Sequence, residues 1–204
     1  MSKYEKLKIT LRYWLLGISQ VNPEYNKCIE ALEFASTIHN GKRKDGVTPE
    51  FEHQLIIAHY LRTLVNNLMF PSETICVAIL HDVCEDYDVS YDEIERRFGK
   101  VVRDGVERLT KIYKGVKKSD EEYFNGISEC PIASVGKGGD RIHNLQSMVG
   151  VFTKEKQEKY ILEAETHIIP ALKKARRLYP KQEMVYENIK LMMLSQIQLI
   201  KSQL

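Results

Sequence analysis

The sequence predicts an all-α fold of roughly eight to ten helices. Three observations carry that expectation. Glycine and proline are sparse, 11 and 6 in 204 residues, so the chain is rarely interrupted. Apolar residues recur at helical spacing through most of its length, and nowhere does the alternation of a half-buried strand persist. Asn22-Pro23 supplies a cap and a first-turn proline before the stripe Cys28, Ala31, Leu32, Ala35, Ile38. The segment from Gly41 to Pro49 is the first loop. Periodicity resumes from His53 to Met69, and Pro71-Ser72 restarts a helix through Ile75, Ala78, Ile79 and Val83. Ser90 with Glu93, and Ser119 with Glu122, are capping-box patterns; Gly99 stops the first of these two helices. Gly136 to Asp140 is a second glycine-rich break. Amphipathic stretches from Gln157 to Arg177 and from Lys181 onward, joined at Pro180, complete the pattern. No internal repeat is present, and residues 1–204 are expected to form a single domain.

Composition narrows the function classes. Hydrophobic residues at 43% and charged residues at 28% exclude a disordered or collagen-like chain. A net charge of +2 is too balanced for a protein that binds by wrapping nucleic acid. The longest uninterrupted apolar run, Ile75 to Leu80, is far short of the ~20 residues of a membrane span. Cys28, Cys76, Cys84 and Cys130 are scattered without a C-x-x-C pair, which argues against a zinc ribbon or a disulfide scaffold. Together with an N-terminus that has no hydrophobic block, this predicts a cytoplasmic protein with buried, reduced thiols.

The segment His81-Asp82-Val83-Cys84-Glu85-Asp86 carries the chemistry. On a helix, His81 shares a face with Glu85, and Asp82 with Asp86. Four polar groups at the end of an apolar helix are costly to bury without partners. A divalent cation is the simplest partner, and imidazole mixed with carboxylate suits manganese, iron or zinc. His53 opens the preceding helix after a loop, and Asp140 leads Arg141-Ile142-His143-Asn144 after the glycines. His39, His59, His143 and His167 are taken as structural, with His143 able to orient a neighbour. The basic run Lys111 to Lys118 is expected to be a solvated loop. The Lys173–Arg177 cluster complements a helix C-terminus.

His, then His-Asp, then Asp is the order found in the HD phosphohydrolase superfamily. Ile38-His39-Asn40-Gly41-Lys42-Arg43-Lys44-Asp45-Gly46 with Pro49 and His53, then His81–Asp86, Phe98-Gly99, Leu109-Thr110-Lys111 and Asp140–Asn144 resemble the hydrolase domain of RelA/SpoT-type enzymes. The likeness is to the stand-alone small alarmone hydrolases, with a motif core at 31–149 and C-terminal helices at 155–204. The resemblance implies a manganese-dependent 3′-pyrophosphohydrolase acting on guanosine tetra- or pentaphosphate, with another divalent metal as the alternative. It implies His53, His81, Asp82 and Asp140 as metal ligands and Glu85 and Asp86 as the pair that activates water. Arg43, Lys44, Lys137, Asn144, Ser147 and Tyr160 would contact substrate. The C-terminal helices could pack on the domain or join two chains. The sequence departs from the family in a loop one residue longer between Gly46 and Pro49, in Glu50 where a tyrosine is usual, and in Gly136, Gly138 and Gly139. Interior glycines cost roughly 1 kcal/mol each relative to alanine, so the backbone before Asp140 is expected to be looser than a regular helix. Two alternatives stay open: an HD hydrolase for another nucleotide, and a catalytically silent nucleotide-binding or neutralising protein.

Overall fold

The computed structural model describes residues 1–204 as twelve α-helices and one small hairpin. The helices are α1 (Lys3–Ser19), α2 (Asn26–Ile38), α3 (Glu52–Leu61), α4 (Pro71–Leu80), α5 (Val83–Asp86) and α6 (Tyr91–Phe98). They continue with α7 (Lys100–Leu109), α8 (Asp120–Ser128), α9 (Pro131–Met148), α10 (Lys154–Glu163), α11 (Ile169–Leu178) and α12 (Glu183–Lys201). Strands β1 (Ile112–Tyr113) and β2 (Val116–Lys117) pair antiparallel between α7 and α8. One continuous apolar core runs from Leu11 to Ile200. No helix is long and apolar enough to cross a membrane.

Two helices form the centre. Every residue of α4 from Thr74 to Leu80 is buried, because α2, α3, α7 and α9 surround it. The long α9 lies against α4 on one side and α12 on another. The expected caps are present: the side chains of Asn22, Ser90 and Ser119 accept hydrogen bonds from the backbone N–H groups of Glu24, Glu93 and Glu122. Gly99 stops α6 at φ +88°, a conformation open to glycine without steric cost.

Four expectations change. First, Gly136 to Asp140 is not a break but the middle of α9. A Cβ on Gly138 would lie 2.5 Å from Ile189 Cγ2, and one on Gly139 3.1 Å from Ile57 Cγ2. The glycines let α12 and α3 approach the α9 backbone, and that packing offsets their poor helix propensity. Second, the basic run at 111–118 is a hairpin, with Lys114 (φ +48°) and Gly115 (φ +81°) at its turn; two left-handed residues are what a tight hairpin turn requires. Third, the stretch from Gln157 to Arg177 is interrupted by a π-helical turn, Ala164–Ile168. Pro170 follows it and has no N–H to return to the preceding turn. Fourth, α4 ends at Leu80, and His81 and Asp82 form a turn before α5, so His81–Asp86 is not one unbroken helix.

Candidate functional site

A cleft of about 480 Å³ opens where the end of α4, the start of α3, the middle of α9 and α10 meet. The buried stretch Thr74–Leu80 of α4 ends there, and the turn that follows aims polar groups inward. One ligand atom from each of His53, His81 and Asp82 lies within 4.8 Å of the others, a set that could hold a metal ion. Asp140, from α9, joins them through Oδ1, 3.1 Å from His53 Nε2. Thus four residues from three separate parts of the sequence come together, three as a tight cluster and the fourth in contact with it.

Each of the four has a second partner. His81 Nδ1 donates to the Ala78 carbonyl (3.0 Å), which leaves Nε2 facing the cluster. That nitrogen is buried with no hydrogen bond, although Asp82 Oδ2 is 3.0 Å away. A buried ring nitrogen with no hydrogen bond, beside a carboxylate, is a position that a divalent cation could take in place of the ring proton. His53 Nδ1 sits 2.6 Å from His143 Nδ1. Gln54 Nε2 donates to Asp82 Oδ2 (2.9 Å). Asp140 accepts from Lys137 Nζ (2.8 Å) and Asn144 Nδ2 (2.5 Å).

These contacts set the charge states. Burial lowers the imidazolium affinity of His53 against the pull of Asp140. At His81 burial also lowers it, but the charge of Asp82, 3.0 Å away, prevails and raises the pKa to about 9. Asp82 is driven to about 2, burial being overcome by His81. Asp140 is held well below the ordinary carboxylate range: burial opposes this, and Lys137 and His53 outweigh it. His143 falls to about 3 through burial and the neighbouring His53 and Arg43. On the rim, Asp86 rises to about 6 through burial and the charges of Asp82, Glu85 and Glu50.

The remaining predicted residues divide between two walls. Glu85, Asp86, Arg43, Lys44, Lys137, Asn144 and Tyr160 all line the cleft. Ser147 does not; it lines an adjoining cavity of about 470 Å³ that shares Arg43 and Lys44 with the cleft. There it accepts from Arg43 Nη2 (2.9 Å), and Asn144 Oδ1 accepts from the same nitrogen (3.3 Å). The loop bearing Arg43 is pinned by Asp45, which accepts from the N–H groups of Val47 and Thr48, both at 2.9 Å. Gly46 takes the left-handed conformation in that turn (φ +73°).

Several lining residues were not singled out as site residues from the sequence. Gln54, Arg141, Phe152, Lys156 and Glu163 face the cleft. Gln54 follows His53, and Arg141 follows Asp140, so adjacency was the available signal; on α10 only Tyr160 had been singled out. Glu50, noted only as a departure, faces the cleft and accepts a hydrogen bond from the Tyr87 hydroxyl. His59 and His167 are structural, the first bonded to the Leu7 carbonyl (2.9 Å) and the second stacked on Phe124. All four cysteines are buried and free.

Residues 31–127, 97 of the 204 in the chain, match the HD-domain family. The chain is similar to an HD domain over that segment. It is 37% identical over 134 residues to the guanosine-3′,5′-bis(diphosphate) 3′-pyrophosphohydrolase of Aquifex aeolicus, a match covering 63% of this chain and 18% of that protein. It is 26% identical over 181 residues to a GTP pyrophosphokinase of Streptomyces coelicolor, covering 74% of this chain and 21% of that one. The chain therefore spans about a fifth of the length of these curated relatives. Among solved structures, it is similar to a metazoan ortholog of SpoT that hydrolyses ppGpp, with a TM-score of 0.59 and 22% identity over 79% of this chain and 94% of that one.

Proposed function

We propose that this chain is a metal-dependent phosphohydrolase that removes the 3′-pyrophosphate of guanosine tetra- or pentaphosphate, leaving GDP or GTP and pyrophosphate. The observation that carries the reading is the convergence of His53, His81 and Asp82 within 4.8 Å, beside Asp140, in a cleft that also holds Glu85, Asp86 and Arg43. Its similarity to a named 3′-pyrophosphohydrolase supports the substrate class. His53, His81, Asp82 and Asp140 would hold the ion, and manganese suits two imidazoles with two carboxylates. When bound, a divalent cation supplies charge neutralisation at the phosphate and a lower pKa for water.

The chain's own groups do the rest. Arg43, fixed by Asn144 and Ser147, holds the nucleoside end, with Lys44 beside it. Lys137 and Tyr160 line the same cleft and would face the phosphates. In the reaction the water oxygen bonds to the phosphorus on the 3′ oxygen, and the P–O3′ bond breaks. Glu85 or Asp86 takes the proton of the attacking water, and the departing 3′ oxygen gains one. Placement and charge neutralisation account for most of the rate in such a site.

Residues 1–204 work as one unit in this reading, which the continuous core supports. Exposed Leu191, Leu194 and Leu199 on α12 support association of two copies through the C-terminal helices, and the free thiols support a cytoplasmic setting. The test is incubation of manganese-loaded protein with guanosine tetraphosphate. Pyrophosphate release that disappears in His81→Ala and Asp82→Ala is expected. Turnover of a different nucleotide in preference would change the substrate, and stoichiometric metal without any turnover would leave a silent binder.

A further inference from the structure

We infer that the β1–β2 hairpin is a clamp that positions the Glu85 carboxylate, with Tyr113 as its anchoring residue. This rests on the hydrolytic reading above only in the role given to Glu85. Glu85 lies on α5, a helix of four residues, and is exposed. A long carboxylate side chain at such a place keeps its rotamer freedom unless a donor fixes it. The donor is the backbone N–H of Lys111, 2.6 Å from Glu85 Oε2. A hydrogen bond to a charged acceptor at this length is among the stronger kinds.

Residue 111 is itself immobilised from three sides. Its carbonyl accepts from Lys118 N (3.0 Å), closing the hairpin. Its ammonium reaches Asp120 Oδ1 (2.8 Å) and lies 5.3 Å from the Tyr123 ring centroid. Two residues on, Tyr113 stacks on Tyr91 of α6, with centroids 4.0 Å apart and planes at 21°. The hairpin adds little to the core: Ile112 and Val116 are 40% and 74% exposed. An isolated two-stranded ribbon is marginal in water, so the Tyr113–Tyr91 stack, which ties it to α6, adds to these contacts in keeping the Lys111 amide in line with Glu85. The clamp thus reaches a catalytic candidate through a main-chain group, which no side-chain motif in the sequence could reveal.

Two measurements test it. Amide hydrogen exchange needs no activity: in Glu85→Ala the Lys111 amide should exchange at least about tenfold faster, while the Lys118 amide, bonded within the hairpin, should be unchanged. Equal Lys111 protection with and without the carboxylate overturns the clamp. In steady-state assays on guanosine tetraphosphate, Tyr113→Ala should lower kcat about tenfold with KM within about twofold, and Tyr113→Phe, which keeps the stack, should restore kcat. Circular dichroism of each variant below its melting transition separates this from a loss of folded protein. A Tyr113→Ala enzyme with wild-type kcat overturns the inference. A wild-type protein that hydrolyses nothing overturns the functional reading instead, and the exchange experiment still decides the clamp.

Discussion

Replacing His143 probes how the metal cluster is supported. For His53 to present Nε2 as a lone pair, Nδ1 must carry the ring proton and donate it. The only acceptor in contact is His143 Nδ1, 2.6 Å away. Burial and the nearby His53 and Arg43 hold His143 down to about 3, so it is neutral near pH 7 and can accept. His143→Ala removes that acceptor from a site where His53 is only 5% exposed. A buried donor left unpaired costs about 1–3 kcal/mol, and outer partners of metal-binding histidines are worth about 10–100-fold in metal affinity. We therefore expect the manganese Kd, measured by isothermal titration calorimetry, to rise by about 10–100-fold in His143→Ala. His143→Gln, whose amide oxygen can accept, should recover part of the loss. A Kd within about twofold of wild type, or equal values for the alanine and glutamine variants, would falsify the assignment of His143 as the acceptor that sets the His53 tautomer.

Other outcomes follow from the same geometry. Manganese at about a hundred times its Kd should stabilise the folded chain by about 2.7 kcal/mol and raise Tm by about 5–10 °C, an increase that scanning calorimetry should not find in Asp82→Ala. Gly138→Ala forces a Cβ to 2.5 Å from Ile189 Cγ2 and should cost about 1–3 kcal/mol in urea denaturation; Ile189→Ala in the same chain should relieve part of that, so the two effects should not add. Glu73 should shape the acid limb of stability. Burial alone would raise its pKa, but hydrogen bonds from Lys27, its own backbone N–H and Ser72 bring it below the ordinary 4.5. Its contribution is then complete above pH 4.5 and is lost as pH falls through the lowered value, so Glu73→Gln should flatten stability between neutral and acid pH; an unchanged slope would count against the Lys27 pairing.

What the sequence showed and hid divides on physical grounds. Caps at Ser90 and Ser119, the stop at Gly99 and the apolar body of α4 are local signals, and local signals are read within a few residues. The glycines of α9 misled because propensity is a local quantity, while their use is tertiary: Gly138 and Gly139 receive Ile189 and Ile57 from other helices. The hairpin was hidden for a related reason. Its strands are two residues each, too short for an alternating pattern, and only the pair Lys114-Gly115 marked a turn. The end of α4 at Leu80 separates His81 from the helical face it was expected to share with Glu85, yet the turn still directs His81 and Asp82 into the cleft.

The inner and outer parts of the site differ in the same way. His53, His81, Asp82 and Asp140 stand out as residue types in a recognisable order. Their supports do not, because they are a backbone carbonyl at Ala78, an amide at Gln54, a second imidazole at His143 and the pair Lys137 and Asn144. Asp140 shows why these supports matter. Its two oxygens accept from Lys137, Asn144 and His53, and each carboxylate oxygen has two lone pairs. Asp140 can keep Lys137 and Asn144 and still offer a lone pair to a cation. The contact with His53 is the one that cannot persist unchanged, because it uses the Nε2 proton that a metal-binding imidazole must give up. Moving that proton to Nδ1 converts the His53–Asp140 hydrogen bond into a His53–His143 one. The outer histidine therefore decides whether the inner one is a ligand or a hydrogen-bond donor.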